Sequence, residues 1–405
     1  MRKSGDRPSL SQGLIRIFEA TSSRGAAMMD NSSEGRTAKY LPQVDGLRGF
    51  CLLLVYLHHS WVYGLPAGSF LDPHSIFEGL VRNGWIGVTF FFTLSGFLIT
   101  RILRGSRFDA NYFRKFYIRR ALRIFPVYYG FLAAMLMAGL IVHSVRPAWW
   151  AFSDMLSVWP WALVYLLNLH FAWVGAWSAT LIAHAWSLCV EEQFYLIWPL
   201  FVRWPGRRAL FKVAIGMCVG AFSLRVLLVA IGFPEVVSQV LTPAVADGFG
   251  FGALAALQSE FPPTPWARRA FVTASVLFAA SFLAAQKLIP GSPMYFDVPF
   301  PLIAAFWFGC MLWWVATAEP RSMAFLAARG SRNLGRSSYV MYLMHQPLFV
   351  LFGARVSAWI IAWFALPLPV AIVACAIAFL IPTWLASNAV YHLYERRFLA
   401  LKAKV

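Results

Sequence analysis

Long apolar runs, separated by short arginine-rich stretches, set the pattern of the chain. A membrane-crossing helix needs about 20 predominantly apolar residues. Candidate segments fall near 47–64, 83–103, 124–142, 155–171, 185–202, 210–231, 242–258, 269–286, 299–317, 335–354 and 367–392. Clusters of positive charge punctuate them: Arg203, Arg207, Arg208 and Lys212; Arg268 and Arg269; Arg321, Arg329, Arg332 and Arg336; and Arg396, Arg397, Lys402 and Lys404. If every segment crossed from a cytoplasmic N-terminus, these four clusters would face outside, against the positive-inside bias. If 155–171 stays at the outer face, they all return to the cytoplasmic side. Only Arg82, Arg146, Lys287 and Arg355 then lie outside, with Arg225 inside a span. The pattern predicts an all-α, polytopic transmembrane helix bundle of about ten spans plus one re-entrant or interfacial segment, with both termini cytoplasmic. Trp149, Trp150, Trp159 and Trp161 around the non-crossing segment suit the headgroup zone.

Composition agrees with this class. Of 405 residues, 60% are hydrophobic and 13% charged, about half the charged share of a soluble domain. The net charge of +18 would suggest nucleic acid in a soluble protein. Here the basic residues lie between apolar segments, so nucleic acid is not an expected partner. Cys51, Cys189, Cys218, Cys310 and Cys375 all sit in apolar runs without a CxxC pair and read as packing residues, with no metal site. Residues 1–39 are polar and lack the apolar core of a signal peptide. They are expected to form a disordered cytoplasmic tail, followed by a transmembrane domain over 40–395 and a basic cytoplasmic tail over 396–405.

Ionisable residues inside the apolar segments carry the candidate chemistry, because such groups are costly to place in a membrane and mark functional sites. In the first segment, Arg48 and His59 are eleven residues apart, which puts them on one helix face about 16 Å apart; His58 lies about 80° off that face. A neutral imidazole is suited to taking a proton from a hydroxyl; a histidine bonded to a neighbouring helix is the structural alternative. Asp45, three residues before Arg48, reads as its partner in a capping ion pair. Ser95 and Gly96 in the second segment give a small-residue contact face. Arg119, Arg120 and Arg123 cluster where the third segment begins. They serve either as an anchor to anionic lipid or as a fork for phosphate, which guanidinium binds bidentately. Glu191 and Glu192 stand side by side within a span, pointing about 100° apart. Arg225 and Asp247 lie in the middle of two further segments, where an ion pair would satisfy both. In the tenth segment Tyr342 precedes the buried His345 by one turn and is a candidate hydrogen-bond partner for it.

These blocks together resemble the acyltransferase 3 family: Arg48, ten residues, then His59, preceded by Asp45-Gly46-Leu47; Phe90-Phe91-Phe92-Thr93-Leu94-Ser95-Gly96-Phe97; Arg120-x-x-Arg123; Trp186-Ser187-Leu188-x-x-Glu191-x-x-Phe194-Tyr195; and Gly335-x-x-Ser338-Tyr339-x-x-Tyr342-x-x-His345-x-Pro347. The resemblance runs from Asp45 to about Glu395. It implies a membrane O-acyltransferase that takes an acyl group, most commonly acetyl, from cytoplasmic acyl-CoA and passes it to a hydroxyl of an extracytoplasmic glycan, lipid or antibiotic, in a bacterial inner membrane. It also implies that Arg48 and His59 are required, with His59 as base or transient acyl carrier, that Arg119, Arg120 and Arg123 meet the acyl donor, and that Glu191, rather than its neighbour Glu192, is the family's glutamate. That glutamate would orient His59 or pair with an intramembrane arginine. Where relatives show Thr-Pro-x-Arg-x-Asp, this chain has Val245 in place of the arginine, so that arginine's role is either absent or supplied by Arg225. The alternative function is a transporter or flippase of a polar lipid or glycan, using the same ionisable groups for binding and release. No internal repeat of the kind common in transporters is evident.

Overall fold

The computed structural model describes residues 40–65, 71–145, 150–178, 181–261, 265–318 and 323–402. Residues 1–39, and Arg146, Trp149, Arg321 and Lys404 from the topology argument, lie outside them. All regular structure among the described residues is helical. The main helices are α1 (Pro42–Gly64), α2 (Ile76–Arg82), α3 (Ile86–Gly105), α4 (Tyr112–Val145), α5 (Trp150–Leu163), α6 (Leu167–Val174), α7 (Trp186–Arg203), α8 (Arg207–Ala230), α9 (Glu235–Val240), α10 (Ala246–Gln258), α11 (Pro265–Leu288), α12 (Pro299–Thr317), α13 (Arg329–Phe364), α14 (Leu368–Val390) and α15 (Arg396–Lys402).

Among the described residues, seven stretches are long and apolar enough to cross a membrane: Ile76–Gly105, Tyr112–Val145, Arg207–Ala230, Pro265–Leu288, Met294–Thr317, Arg329–Phe364 and Leu368–Glu395. The expected spans missing from this count are α1, α7 and α10. Their polarity and length explain why. Helix α1 carries Arg48, His58 and His59, and α7 carries Glu191, Glu192 and Arg203. Helix α10 has 13 residues and begins at Ala246-Asp247. The three helices that fall short carry Arg48, His59, Glu191 and Asp247, while Arg120, Arg123, Arg225, Tyr342 and His345 lie on helices within the seven.

Residues 155–171 do not form one continuous helix. Tyr165 adopts a positive φ of 56°, which separates α5 from α6. With 14 and 8 residues, these helices reach only about 21 and 12 Å, short of the ~30 Å hydrocarbon core. At the C-terminal end a π-helical turn at Tyr391–Glu395 leads into α15.

Helix packing in an apolar medium relies on close backbone approach at small residues. Helix α1 lies along α13, and glycines make this possible at both ends. A Cβ on Gly335 would come within 1.6 Å of the Asp45 carbonyl oxygen, and one on Gly353 within 2.8 Å of that of Tyr63. Helices α3 and α10 touch through Gly96 and Gly252, whose added Cβ atoms would lie 2.2 and 2.0 Å from the carbonyl oxygens of Phe249 and Thr93. Gly96 therefore has the packing role expected of it. The five cysteines are buried and unpaired.

Candidate active site

Two cavities adjoin inside the bundle. The smaller, about 90 Å³, takes in Arg48 from α1, Ser95 from α3, Arg120 and Arg123 from α4, Glu191, Glu192 and Tyr195 from α7, and Arg336 from α13. The larger, about 490 Å³, takes in His58 and His59 from the far end of α1, His184, Gln346, the Arg225–Asp247 pair and several tryptophans. Val88, Phe92 and Tyr342 line both. Arg48 and His59, predicted to share one face of the first helix, open into adjacent chambers separated by these three side chains.

The smaller chamber is a cationic pocket with an organised carboxylate. Glu191 accepts hydrogen bonds from the Ser95 hydroxyl at 2.9 Å and the Tyr195 hydroxyl at 3.0 Å. Arg120 lies over the Tyr195 ring, 4.5 Å from its centroid. Glu191 thus sits on the arginine side, away from His59. Its hydrogen-bond partners are these two hydroxyls, and it lines the chamber that holds Arg48, Arg120 and Arg123, not the one that holds His59. Glu192 lines the same chamber, with its Oε1 buried and unpartnered. Arg120 and Arg123 line the chamber together. Arg119 is exposed and does not line the chamber. Asp45 accepts from the Tyr40 hydroxyl at 2.5 Å and from Arg336 Nε at 3.4 Å. The capping pair expected between Asp45 and Arg48 is replaced by one that ties α1 to α13, and Arg48 faces the pocket.

In the larger chamber His59 Nδ1 donates to the Val55 carbonyl at 2.9 Å, and the Gln346 side chain also bonds the ring. Gln346 Oε1 accepts from the His184 backbone N–H at 3.1 Å. His345 is fully buried next to His59, with ring centroids 4.6 Å apart. Its Nδ1 donates to the backbone carbonyl of Tyr342. The Tyr342 hydroxyl, expected to serve His345, is instead paired with Ser187 Oγ at 2.7 Å and donates to the His184 carbonyl at 3.2 Å. Arg225 and Asp247 form a salt bridge of 2.5 Å at 1% exposure each. Arg225 also donates to the carbonyls of Ala244 and Val298, binding α8 to the start of α10 and the start of α12. Trp61, Trp85, Trp177 and Trp186 add aromatic faces, and Glu235, Gln239 and Asp297 add hydrogen-bonding groups. His184 and Gln346 were not singled out from the sequence. Their signal was position, His184 two residues before the Trp186-Ser187-Leu188 block and Gln346 between His345 and Pro347. Among the described residues no group of three or more His, Cys, Asp or Glu has a geometry suited to a metal ion.

The comparison that decides the family is the match of residues 41–387 to the acyltransferase 3 model, described as an acyltransferase domain. The chain belongs to the acyltransferase 3 family. Relatives within reach include the peptidoglycan O-acetyltransferase OatA of Listeria monocytogenes, 30% identical over 194 residues, covering 44% of this chain and 28% of the relative. The YrhL protein of Bacillus subtilis is 33% identical over 175 residues, covering 40% and 24%. The ORF330 protein of Acidianus two-tailed virus is 27% identical over 250 residues, covering 61% and 66%. The match thus spans only about a quarter of the length of the two bacterial relatives. No solved structure matches the chain. For this acyltransferase 3 protein the aligned region contains both chambers, since their lining residues run from Arg48 to Gln346.

Proposed function

We propose that this acyltransferase 3 protein is a membrane O-acetyltransferase, moving an acetyl group from cytoplasmic acetyl-CoA to a hydroxyl of an extracytoplasmic glycan. The observation that carries the proposal is the placement of Arg48 and His59 on one helix, each in one of two adjoining chambers. The smaller chamber is the donor side. Arg48, Arg120 and Arg123 suit the phosphates of coenzyme A, because guanidinium offers paired donors to phosphate oxygens. The larger chamber is the acceptor side. Its volume is in the range of small-molecule sites, its tryptophans offer flat apolar faces to sugar rings, and Glu235, Gln239 and Asp297 accept from or donate to hydroxyls. The naming of relatives as a peptidoglycan O-acetyltransferase and a putative one supports a cell-envelope glycan as acceptor.

In this mechanism the thioester reaches past Val88, Phe92 and Tyr342 toward His59. A carbonyl oxygen only accepts, so the His59 nitrogen bonded to Val55 carries the hydrogen and Nε2 keeps the lone pair. Nε2 takes the acceptor's proton as its oxygen attacks the thioester carbon, and coenzyme A departs as thiolate. Helices α1, α7 and α10 cross the membrane with the seven apolar stretches, giving ten spans and two cytoplasmic termini in the bacterial inner membrane. Helices α5 and α6 lie at the outer face. Purified protein should release thiol from acetyl-CoA in the presence of an acceptor oligosaccharide, and His59→Ala should abolish release. A flippase would release none in either form.

A further inference from the structure

His58, His59 and His184 line the larger chamber, and His345 is buried behind its wall. The His58 ring centroid stands 5.3 Å from that of His59, with His58 Nδ1 on the Val81 carbonyl, and proton abstraction by His59 uses none of the other three. His345 lies between His59 and His184, with ring centroids 4.6 Å from the first and 5.1 Å from the second. Its ring is fully buried and stacks on Tyr56 at 5.2 Å. His59, His345 and His184 each commit one nitrogen to a backbone carbonyl: His59 Nδ1 to Val55, His345 Nδ1 to Tyr342 and His184 Nε2 to Leu343. Those nitrogens must carry hydrogen, so the second nitrogen of each neutral ring is an acceptor. His345 Nε2 and His184 Nδ1 are buried with no hydrogen-bond partner, a condition folded proteins largely avoid. Two unsatisfied acceptors beside a base that gains a proton each turnover form a ready place for that proton.

We propose that His345 is the proton-accepting partner of His59, clearing the base after each transfer. The inference rests on His59 being the base. In the first step the acceptor O–H bond breaks, its proton goes to His59 Nε2, the new O–acyl bond forms, and the thioester C–S pair leaves with sulfur. His59 then passes the proton from Nε2 to His345 Nε2 and returns to its neutral form. From His345 the proton joins the coenzyme A thiolate, so the products are the ester and free thiol. Tyr342, whose ring is 5.2 Å from His345 and which lines both chambers, stands where that return must occur.

The test is His345→Gln, compared with wild type and His59→Ala in single-turnover and steady-state transfer from acetyl-CoA. His345→Gln should keep a near-wild-type first turnover and KM for both substrates, while kcat falls about 100-fold, the scale of a lost acid–base partner. A first turnover slowed as much as kcat would mark a packing role and overturn the proposal, as would an unchanged kcat. If His59→Ala is inactive while His345→Gln turns over normally, the base stands and its partner falls. If His59→Ala is active, both fall. Nitrogen-15 NMR of histidine-labelled wild-type protein tests the same point without a substitution. His345 Nε2 should be an unprotonated ring nitrogen in the resting enzyme; a protonated Nε2 has no lone pair to offer and overturns the proposal.

Discussion

An arginine scan of the donor chamber separates coenzyme A binding from lipid anchoring. Arg119, Arg120 and Arg123 stand within two turns of α4, and an anchor to anionic lipid would use all three alike. The structure divides them: Arg120 and Arg123 line the chamber with Arg48, and Arg119 is exposed outside it. A charge-assisted hydrogen bond contributes about 1.5–3 kcal/mol, which is roughly 10- to 150-fold in affinity. Arg120→Ala and Arg123→Ala are each expected to weaken coenzyme A binding within that range. Arg119→Ala should stay within about threefold of wild type, as exposed charges do. Titration of coenzyme A into detergent-purified protein, followed by calorimetry at fixed ionic strength, gives the three dissociation constants directly. Equal loss at all three positions, or loss at Arg119 alone, would refute the assignment of the chamber to the donor.

Arg225→Ala strands the Asp247 carboxylate in a buried site and should destabilise the protein by about 3–5 kcal/mol in denaturant melts. Arg225→Met with Asp247→Leu should recover most of the loss. Gly335→Val should give little folded protein by size-exclusion chromatography, because its Cβ would overlap the Asp45 carbonyl, whereas Gly330→Ala, with nothing within 4 Å, should behave as wild type. Glu191→Gln gives up one of the two acceptors serving Ser95 and Tyr195 and should lower acetyl transfer about tenfold; wild-type transfer would remove Glu191 from the site.

The sequence made the helical class legible, because long apolar runs bounded by arginine clusters leave few alternatives to a membrane bundle. Helix geometry alone aligned Arg48 with His59, since eleven residues bring the helix back to the same face. It could not choose between Arg119 and Arg120, because both neighbour Arg123 and only packing against α7 and α13 fixes the rotation of α4. Nor could it find Ser95 as the partner of Glu191 or Ser187 as the partner of Tyr342. Those pairs are 96 and 155 residues apart and exist only once the helices assemble. The Arg225–Asp247 contact is legible in the sequence because two buried opposite charges in apolar segments have few other ways to be satisfied. Tyr342 shows the opposite case: its local position next to His345 suggested one bond, and a serine on another helix took its hydroxyl.

The proposed mechanism has donor and acceptor meet from opposite faces of the membrane. Inside-out proteoliposomes loaded with acceptor oligosaccharide and given radiolabelled acetyl-CoA outside test this most directly. Label should appear on the enclosed oligosaccharide with wild-type protein and not with His59→Ala. Acetylation only when acetyl-CoA and oligosaccharide share one compartment would contradict the account.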